Sequence, residues 1–266
     1  MGNPIKIGVL TKKEYAWLKD QDDLTQEELD KVKQFENTSK SDSLDKPIYE
    51  RKKITITASL LWYHFKSWYK YVNKKDFIET SDSKKNVGVL LSYFSKDDNF
   101  FKSDRLKKEY NKPSFSKSLL IVGFFGNGKT SILRTFYEMF NHYQLPMRFK
   151  MVNAHDLVTE WESIEDQGSK HLFFQRYTCK HLCIDDVKKE DKASNYGLKE
   201  IVGKIIEKQY DKKNLTILNC NYRETDVIGD YLDAINEFNR YGNHIVDRLY
   251  ETHNFIEFKG KSFRGR

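Results

Sequence analysis

Two hydrophobic periods alternate along this chain. Short apolar runs of strand length, such as Leu119–Val122, are followed by segments whose apolar residues return every three or four positions. The segment after Leu119–Val122 reads Ile132, Leu133, Phe136 and Phe140. It is followed by a short strand over Arg148–Val152, then a helix from Ala154 to Ser163 carrying Leu157, Val158 and Trp161. Leu172–Tyr177 leads into a strand over His181–Val187. A helix at Lys199–Tyr210 carries Ile201, Val202, Ile205 and Ile206, and a strand follows at Thr216–Asn221. From Glu224 the helical period runs through Ile228, Tyr231, Leu232, Ile235 and Phe238. A short helix face of Ile245, Val246 and Leu249 then precedes a strand at Asn254–Phe258. Strands and helices taking turns in this way predict a parallel α/β sheet over residues 113–266.

Upstream the pattern is helical. Thr25-Gln26-Glu27-Glu28 is a capping box that opens a helix with Leu29, Val32 and Phe35 on one side, ending near Asn37. Residues 37–47 are polar, without period, and close on Pro47, so residues 1–50 read as a helical lead-in with a linker. Between Lys53 and Asn73, Leu61, Phe65, Trp68 and Val72 recur at helical spacing and mark a core stripe, with Lys66, Tyr69 and Lys70 elsewhere around the helix. Trp62, Trp68 and the neighbouring tyrosines suit either core packing or stacking on bases. A second helix spans Val87–Phe94, and residues 51–112 form a basic, aromatic, helical region.

Composition narrows the class. Of 266 residues, 38% are hydrophobic and 32% charged, with 18 Phe and 16 Tyr, which describes a globular chain with a charged surface. No run approaches the ~18 apolar residues of a membrane helix, and the start lacks the apolar segment of a signal peptide, so a cytoplasmic protein with no membrane partner is expected. Cys179, Cys183 and Cys220 lack metal-ligand spacing and read as reduced, mostly core, thiols. The net charge of +7 is concentrated: residues 51–118 hold 16 Lys and Arg against 7 Asp and Glu. Such a segment suits nucleic acid or an acidic protein face.

The candidate chemistry begins at Gly123, where GFFGNGKT satisfies the pattern of two glycines with four residues between them followed by Lys-Thr. An apolar strand before it and a helix behind it give the motif its setting. Backbone N–H groups curl around a phosphate while the helix N-terminus faces the same anion. Lys129 reaches the outer phosphates and the Thr130 hydroxyl holds Mg²⁺. Gly123, Gly126 and Gly128 supply backbone angles other residues resist, and Asn127 and Ser131 complete the nucleotide-binding set. Asp185 ends an apolar strand and takes the Mg²⁺ role. Asp186, or Glu190 four residues on, is placed to orient the attacking water. Asn221, at the end of another strand, offers an amide to the same water.

Taken together, SLLIVGFFGNGKTSI, HLCIDDVKKE, LTILNCNYRE and YGNHIVDRLYETHNFIEFKGKSFR resemble the AAA+ ATPases of the DnaC/DnaI helicase-loader group and their IstB-type relatives, over about Ser116–Arg266. The resemblance implies an AAA+ P-loop NTPase fold, with a parallel sheet flanked by helices and a smaller, mainly helical N-terminal region. It makes Asn221 the sensor I residue and Arg264, in Ser262-Phe263-Arg264, sensor II. It also implies ATP and Mg²⁺ as cofactors, ATP hydrolysis, contact with single-stranded DNA, a hexameric replicative helicase as partner, and self-association in the nucleotide-bound state. One departure stands out: His244 occupies the position of the arginine that the family presents to a neighbouring subunit. Arg248 or Arg240 then substitutes, or turnover is slow. Replicative helicase loading is the leading expectation. A transposase helper of the IstB type and a nucleotide-gated adaptor with little hydrolysis are the alternatives.

Overall fold

The structure, a computed structural model, describes residues 56–194, 200–223 and 229–264, together with Asp30 and Lys33. The Thr25 capping box, the 37–47 linker and residues 224–228 of the expected Glu224 helix lie outside the described residues.

Five described strands form one sheet, all parallel: β1 (Ser118–Gly123), β2 (Lys150–Asn153), β3 (Leu182–Asp185), β4 (Thr216–Cys220) and β5 (His253–Phe258), in the spatial order β2-β3-β4-β1-β5. β1 lies between β4 and β5, and every residue in it is buried. The helices are α1 (Ala58–Asn73), α2 (Ser81–Ser95), α3 (Lys129–His142), α4 (Ala154–Glu162), α5 (Gln167–Thr178), α6 (Ile201–Asp211), α7 (Tyr231–Asn236) and α8 (Asn243–Thr252).

Alternate residues of a strand face opposite sides, and here both sides are apolar. Leu120, Val122, Ile184 and Leu218 join one core with side chains of α4 to α8, while Leu119, Ile121, Cys183, Ile217 and Ile256 join the other with side chains of α1, α2 and α3. The expected boundary near residue 112 therefore has no counterpart in the packing. Contacts divide the chain at 54/55, and residues 55–266 make one unit. Phe65 of α1 meets Phe136 of α3 at 5.1 Å between ring centroids, a contact that ties the basic aromatic region to the P-loop helix.

The core stripe of α1 is Leu61, Phe65 and Tyr69. Tyr69 was expected elsewhere around the helix, but it sits four residues from Phe65 and is buried, while Trp68 and Val72 are only half-buried. α2 starts earlier than its apolar residues suggested. Its capping box pairs Thr80 with a serine, Ser83, instead of a glutamate. Gln167–Thr178 is helical throughout rather than a lead-in: Asp166 caps it through Ser169 N–H (2.8 Å), and its weak sequence period reflects exposed Leu172 beside buried Phe173. β3 stops at Asp185 because Asp186 takes a left-handed φ of +53°. β2 starts at Lys150 because the chain ahead of it is still turning, with the Arg148 N–H bonded to the Leu145 carbonyl (3.0 Å). In α7, Tyr231 and Ile235 are buried but Leu232 is exposed.

Cys183 and Cys220 are buried in β3 and β4, and Cys179 is exposed. Among the described residues no cluster of His, Cys, Asp and Glu could hold a metal by itself, and no helix is long and apolar enough to cross a membrane.

His253 starts β5 fully buried, with Nδ1 3.0 Å from the Thr252 hydroxyl. Burial, with Lys117 adding to it, pushes its pKa from 6.5 down to about 3. The folded value lies below the unfolded one, so stability is intact above pH ~6.5 and falls as the pH drops toward 3, by up to about 1.4 kcal/mol per unit. Urea midpoints measured across that window should show this slope, and His253→Leu should flatten it. An unchanged slope in the variant would contradict the assignment.

Candidate nucleotide-binding site

The sheet order sets the site. Because β4 is inserted between β1 and β3, the carboxyl ends of β1, β3 and β4 lie side by side and deliver Gly123, Asp185 and Asn221 to one edge. Within the loop, Gly126 (φ +75°) and Gly128 (φ +94°) hold left-handed angles. Gly123 does not have a positive φ. A Cβ there would run into the Phe258 carbonyl and the Asn127 amide, so its constraint is close approach and not the backbone angle expected for it. Gly128 occupies the N-cap position of α3, where no side chain bonds the first turn, so those N–H groups suit an anion.

Lys129 is buried and donates to the Gly123 carbonyl (2.6 Å), the Phe124 carbonyl (2.8 Å), Asn127 Oδ1 (3.2 Å) and Asn221 Oδ1 (2.9 Å). Burial lowers its pKa to about 8, against the pull of nearby Asp185 and Asp186. Asn127 also donates to the Phe258 carbonyl (2.8 Å), so its side chain braces the loop against β5. Asn221 bridges the charges: its Oδ1 accepts from Lys129 while its Nδ2 donates to Asp186 Oδ1 at 3.1 Å. The Thr130 hydroxyl donates to Asp185 Oδ1 at 3.1 Å, and Asn219 Nδ2 donates to the same oxygen. Burial, then Asp186, raises the Asp185 pKa despite Thr130, Asn219 and Arg134. A buried carboxylate beside a hydroxyl and a second carboxylate is a hard-oxygen set short of positive charge. It fits Mg²⁺, which takes one or two protein oxygens and keeps several waters.

A cavity of about 260 Å³ is lined by residues 125–131, Asp186, Lys189 and Asn221, with Tyr69 and Lys75 on the α1 side; Asp185 lies buried behind it, joined to it through the Thr130 hydroxyl. Ser131 lines it as expected. The C-terminal segment closes another side: Phe263 N–H donates to the Gly126 carbonyl (2.9 Å), and Phe263 and Arg264 border the cavity.

Other expected residues are elsewhere. Glu190 is buried away from the cavity. It accepts from the Tyr241 hydroxyl, its carbonyl accepts from Arg240 (2.8 Å), and burial raises its pKa. Arg240 also donates to the Lys188 carbonyl (2.6 Å) and so clamps the loop after β3. Arg248 pairs with Glu207 (3.0 Å) and lies over the Tyr210 ring. It lines a cavity of about 560 Å³ at the amino-terminal edge of the sheet, beside Ser118, Thr216 and His253. His244 Nε2 lies 3.6 Å from the same Glu207.

Sequence reasoning missed Asn219, Tyr69 and Lys188. Asn219 had a signal, a polar residue inside the apolar strand TILNC. Lys188, in a charged run, had none, yet its ammonium reaches the Asn221 carbonyl (3.2 Å), the Ala234 carbonyl (3.0 Å) and Glu237 (2.6 Å).

No protein-family model matches the sequence, and no curated protein matches it. Among solved structures the chain is similar to the DnaC helicase loader, at 17% identity and a TM-score of 0.51, over 73% of this chain and 99% of that one. It is also similar to domain III of the replication initiation protein DnaA of Thermotoga maritima (16% identity, TM-score 0.45, 71% of this chain and 67% of that one). DnaI gives 15% identity and a TM-score of 0.42 over 71% and 90%. At such identities the likeness is one of fold, and the first comparison carries it. The chain shares the fold of that structure, here a five-stranded parallel sheet flanked by helices.

Lys129 gives the site a pH signature. A phosphate beside the ammonium raises its pKa above the free value of about 8, so affinity is full below that pH and falls above it, by up to about tenfold per unit. Calorimetric titration with ATP between pH 7 and 9.5 should show the fall. Lys129→Arg, whose guanidinium stays charged, should bind more weakly but lose the slope, and a slope retained in that variant would place its origin elsewhere.

Proposed function

We propose that this chain is an ATP-binding AAA+ ATPase that loads a replicative helicase at single-stranded DNA. The observation that supports it most is the gathering of Lys129, Thr130, Asn221 and the Phe263-Arg264 segment around one cavity at the carboxyl edge of the sheet, with Asp185 directly behind Thr130. Lys129 and the N–H groups of the α3 N-terminus bind the phosphates. Thr130 and Asp185 would hold Mg²⁺, with Asn219 fixing the Asp185 carboxylate, and the ion would supply charge neutralisation at the outer phosphates. Asn221, tied to both Lys129 and Asp186, orients the attacking water, and Asp186 accepts its proton. Arg264 reports the outer phosphate to the C-terminal segment. The helicase and the DNA enter through the resemblance of the four motifs and the fold shared with the DnaC helicase loader. Self-association when nucleotide is bound comes from the motif resemblance alone.

The adaptor reading, in which ATP acts mainly as a conformational ligand, draws on specific observations. Glu190 is withdrawn beneath Tyr241, Asp186 is engaged by Asn221, and His244 lies 3.6 Å from Glu207 of its own chain. On that basis turnover is slow with or without a partner, and ATP binding alone carries the signal.

Lys129→Ala should weaken ATP binding by at least about 100-fold, the scale of a lost charged phosphate contact of 3 kcal/mol or so. Unchanged affinity would sink the site assignment. Asn221→Ala should keep ATP affinity within a few-fold while lowering turnover by about 10²-fold or more, since it removes the group that positions water. If steady-state hydrolysis in the variant equals that of the wild type, Asn221 has no such role. Hydrolysis stimulated by single-stranded DNA together with the host's replicative helicase would support the loader reading, and absence of stimulation would favour the adaptor.

A further inference from the structure

The aromatic residues of α1 separate into two sets that the sequence left mixed. Leu61, Phe65 and Tyr69 face the core, and Trp62 stacks beside Phe65 at 6.1 Å. On the outer side six rings touch in succession: Tyr63 and His64 (5.3 Å), His64 and Tyr143 (5.4 Å), Tyr143 and Trp68 (5.9 Å), Trp68 and His142 (4.9 Å), and Trp68 and Tyr71 (5.5 Å). Tyr63 is 72% exposed, Tyr71 66% and Tyr143 44%, and a cleft of about 420 Å³ opens among Trp68, Tyr71 and His142. Trp68 Nε1 donates to the Tyr143 hydroxyl (3.3 Å), which also lies 3.3 Å from His64 Nδ1, so the set is held by polar contacts as well as by packing. A row of exposed rings this long has no role in the core.

Charge accompanies the rings. α1 contains no Asp or Glu, and Lys66 and Lys70 lie three residues on from Tyr63 and Ser67, so they flank the aromatic row. Lys74 lies over the Tyr71 ring at 4.6 Å. The acids that face these lysines are Glu79, 3.3 Å from Lys66, and Asp76, 3.0 Å from Lys70. Both are exposed pairs, weak enough in water for a phosphate to replace.

We infer that this outer face of α1, with the C-terminal end of α3, is a binding platform for single-stranded nucleic acid: the rings stack on bases and the lysines follow the phosphates. This deepens the proposed contact with single-stranded DNA and rests on that reading. Bases have faces that stack on exposed rings, whereas an acidic protein surface would use the lysines and leave the rings unexplained. The platform shares a helix with Tyr69, which borders the nucleotide cavity, so both ligands engage one rigid element.

The test uses the full chain and a labelled oligothymidine of about 20 residues, longer than the ~4–16 nucleotides one such surface covers. Tyr63→Ala with Tyr71→Ala should weaken binding by at least about tenfold, and leave ATP affinity unchanged because neither residue borders the nucleotide cavity. An abasic strand of equal length and charge should bind the wild type at least about tenfold more weakly than oligothymidine. Lys66→Ala with Lys70→Ala should lower the salt dependence by about one to two phosphate contacts. Equal binding of oligothymidine by the wild type and the tyrosine variant would overturn the platform while leaving DNA contact in force elsewhere on the chain. Equal binding of the abasic strand, or displacement by polyglutamate as effective as by DNA, would replace it with a surface for acidic partners. A wild type that binds ATP but no oligonucleotide would remove both the platform and the DNA part of the proposed function.

Discussion

The site depends on one buried ammonium. Lys129 is enclosed by the loop that precedes it and fastened to two carbonyls of that loop and to the Asn221 amide across the sheet. A lysine without water is costly unless its donors are used, and here each bond it makes also fixes a functional backbone or side chain. The Gly123 and Phe124 carbonyls shape the loop, and Asn221 is placed by the same contact that links it to Asp186. The strand order makes this possible, since only with β4 between β1 and β3 does a residue following β4 reach both.

The electrostatics of the cavity are balanced against burial. Burial lowers the Lys129 pKa and raises that of Asp185, so each charge is held in a state that a ligand of the opposite sign would relieve. Phosphate relieves the first and a divalent cation the second. Around this pair the surroundings are cross-linked: Asn127 braces the loop on β5, Arg240 and Tyr241 hold the segment after β3, and Phe65 packs α1 onto α3. The α1 and α2 helices therefore belong to the same unit as helix α3, covering one face of its sheet.

Much of this was legible in the sequence because the relevant signals are local. Strands buried on both faces read as continuous apolar runs, which located β1, β3 and β4, and the glycine-lysine spacing between one such run and a helix located the loop ahead of α3. Asp185 and Asn221 followed from strand ends. What was hidden depends on contacts across the chain. Glu190 looked available in DDVKKE, but Tyr241, 51 residues away, takes it out of the cavity. Tyr69 could be counted outward from the period alone, because a face shift of one residue separates Trp68 from Tyr69 and packing against α3 decides which is buried. The expected boundary near residue 112 followed a change in composition, but basic surface residues and core residues alternate within α1 itself. Composition records the first and packing the second.

The central claim is that the ammonium now satisfied by the protein is the group that receives the nucleotide's outer phosphates. A structure determined with Mg²⁺ and a non-hydrolysable ATP analogue tests it most directly. The account predicts Lys129 Nζ hydrogen-bonded to the outer phosphates, Thr130 and Asp185 at the metal, and the Asn221 amide facing the terminal phosphate. Phosphates bound away from the α3 N-terminus, with Lys129 still held by Gly123, Phe124 and Asn221, would contradict it.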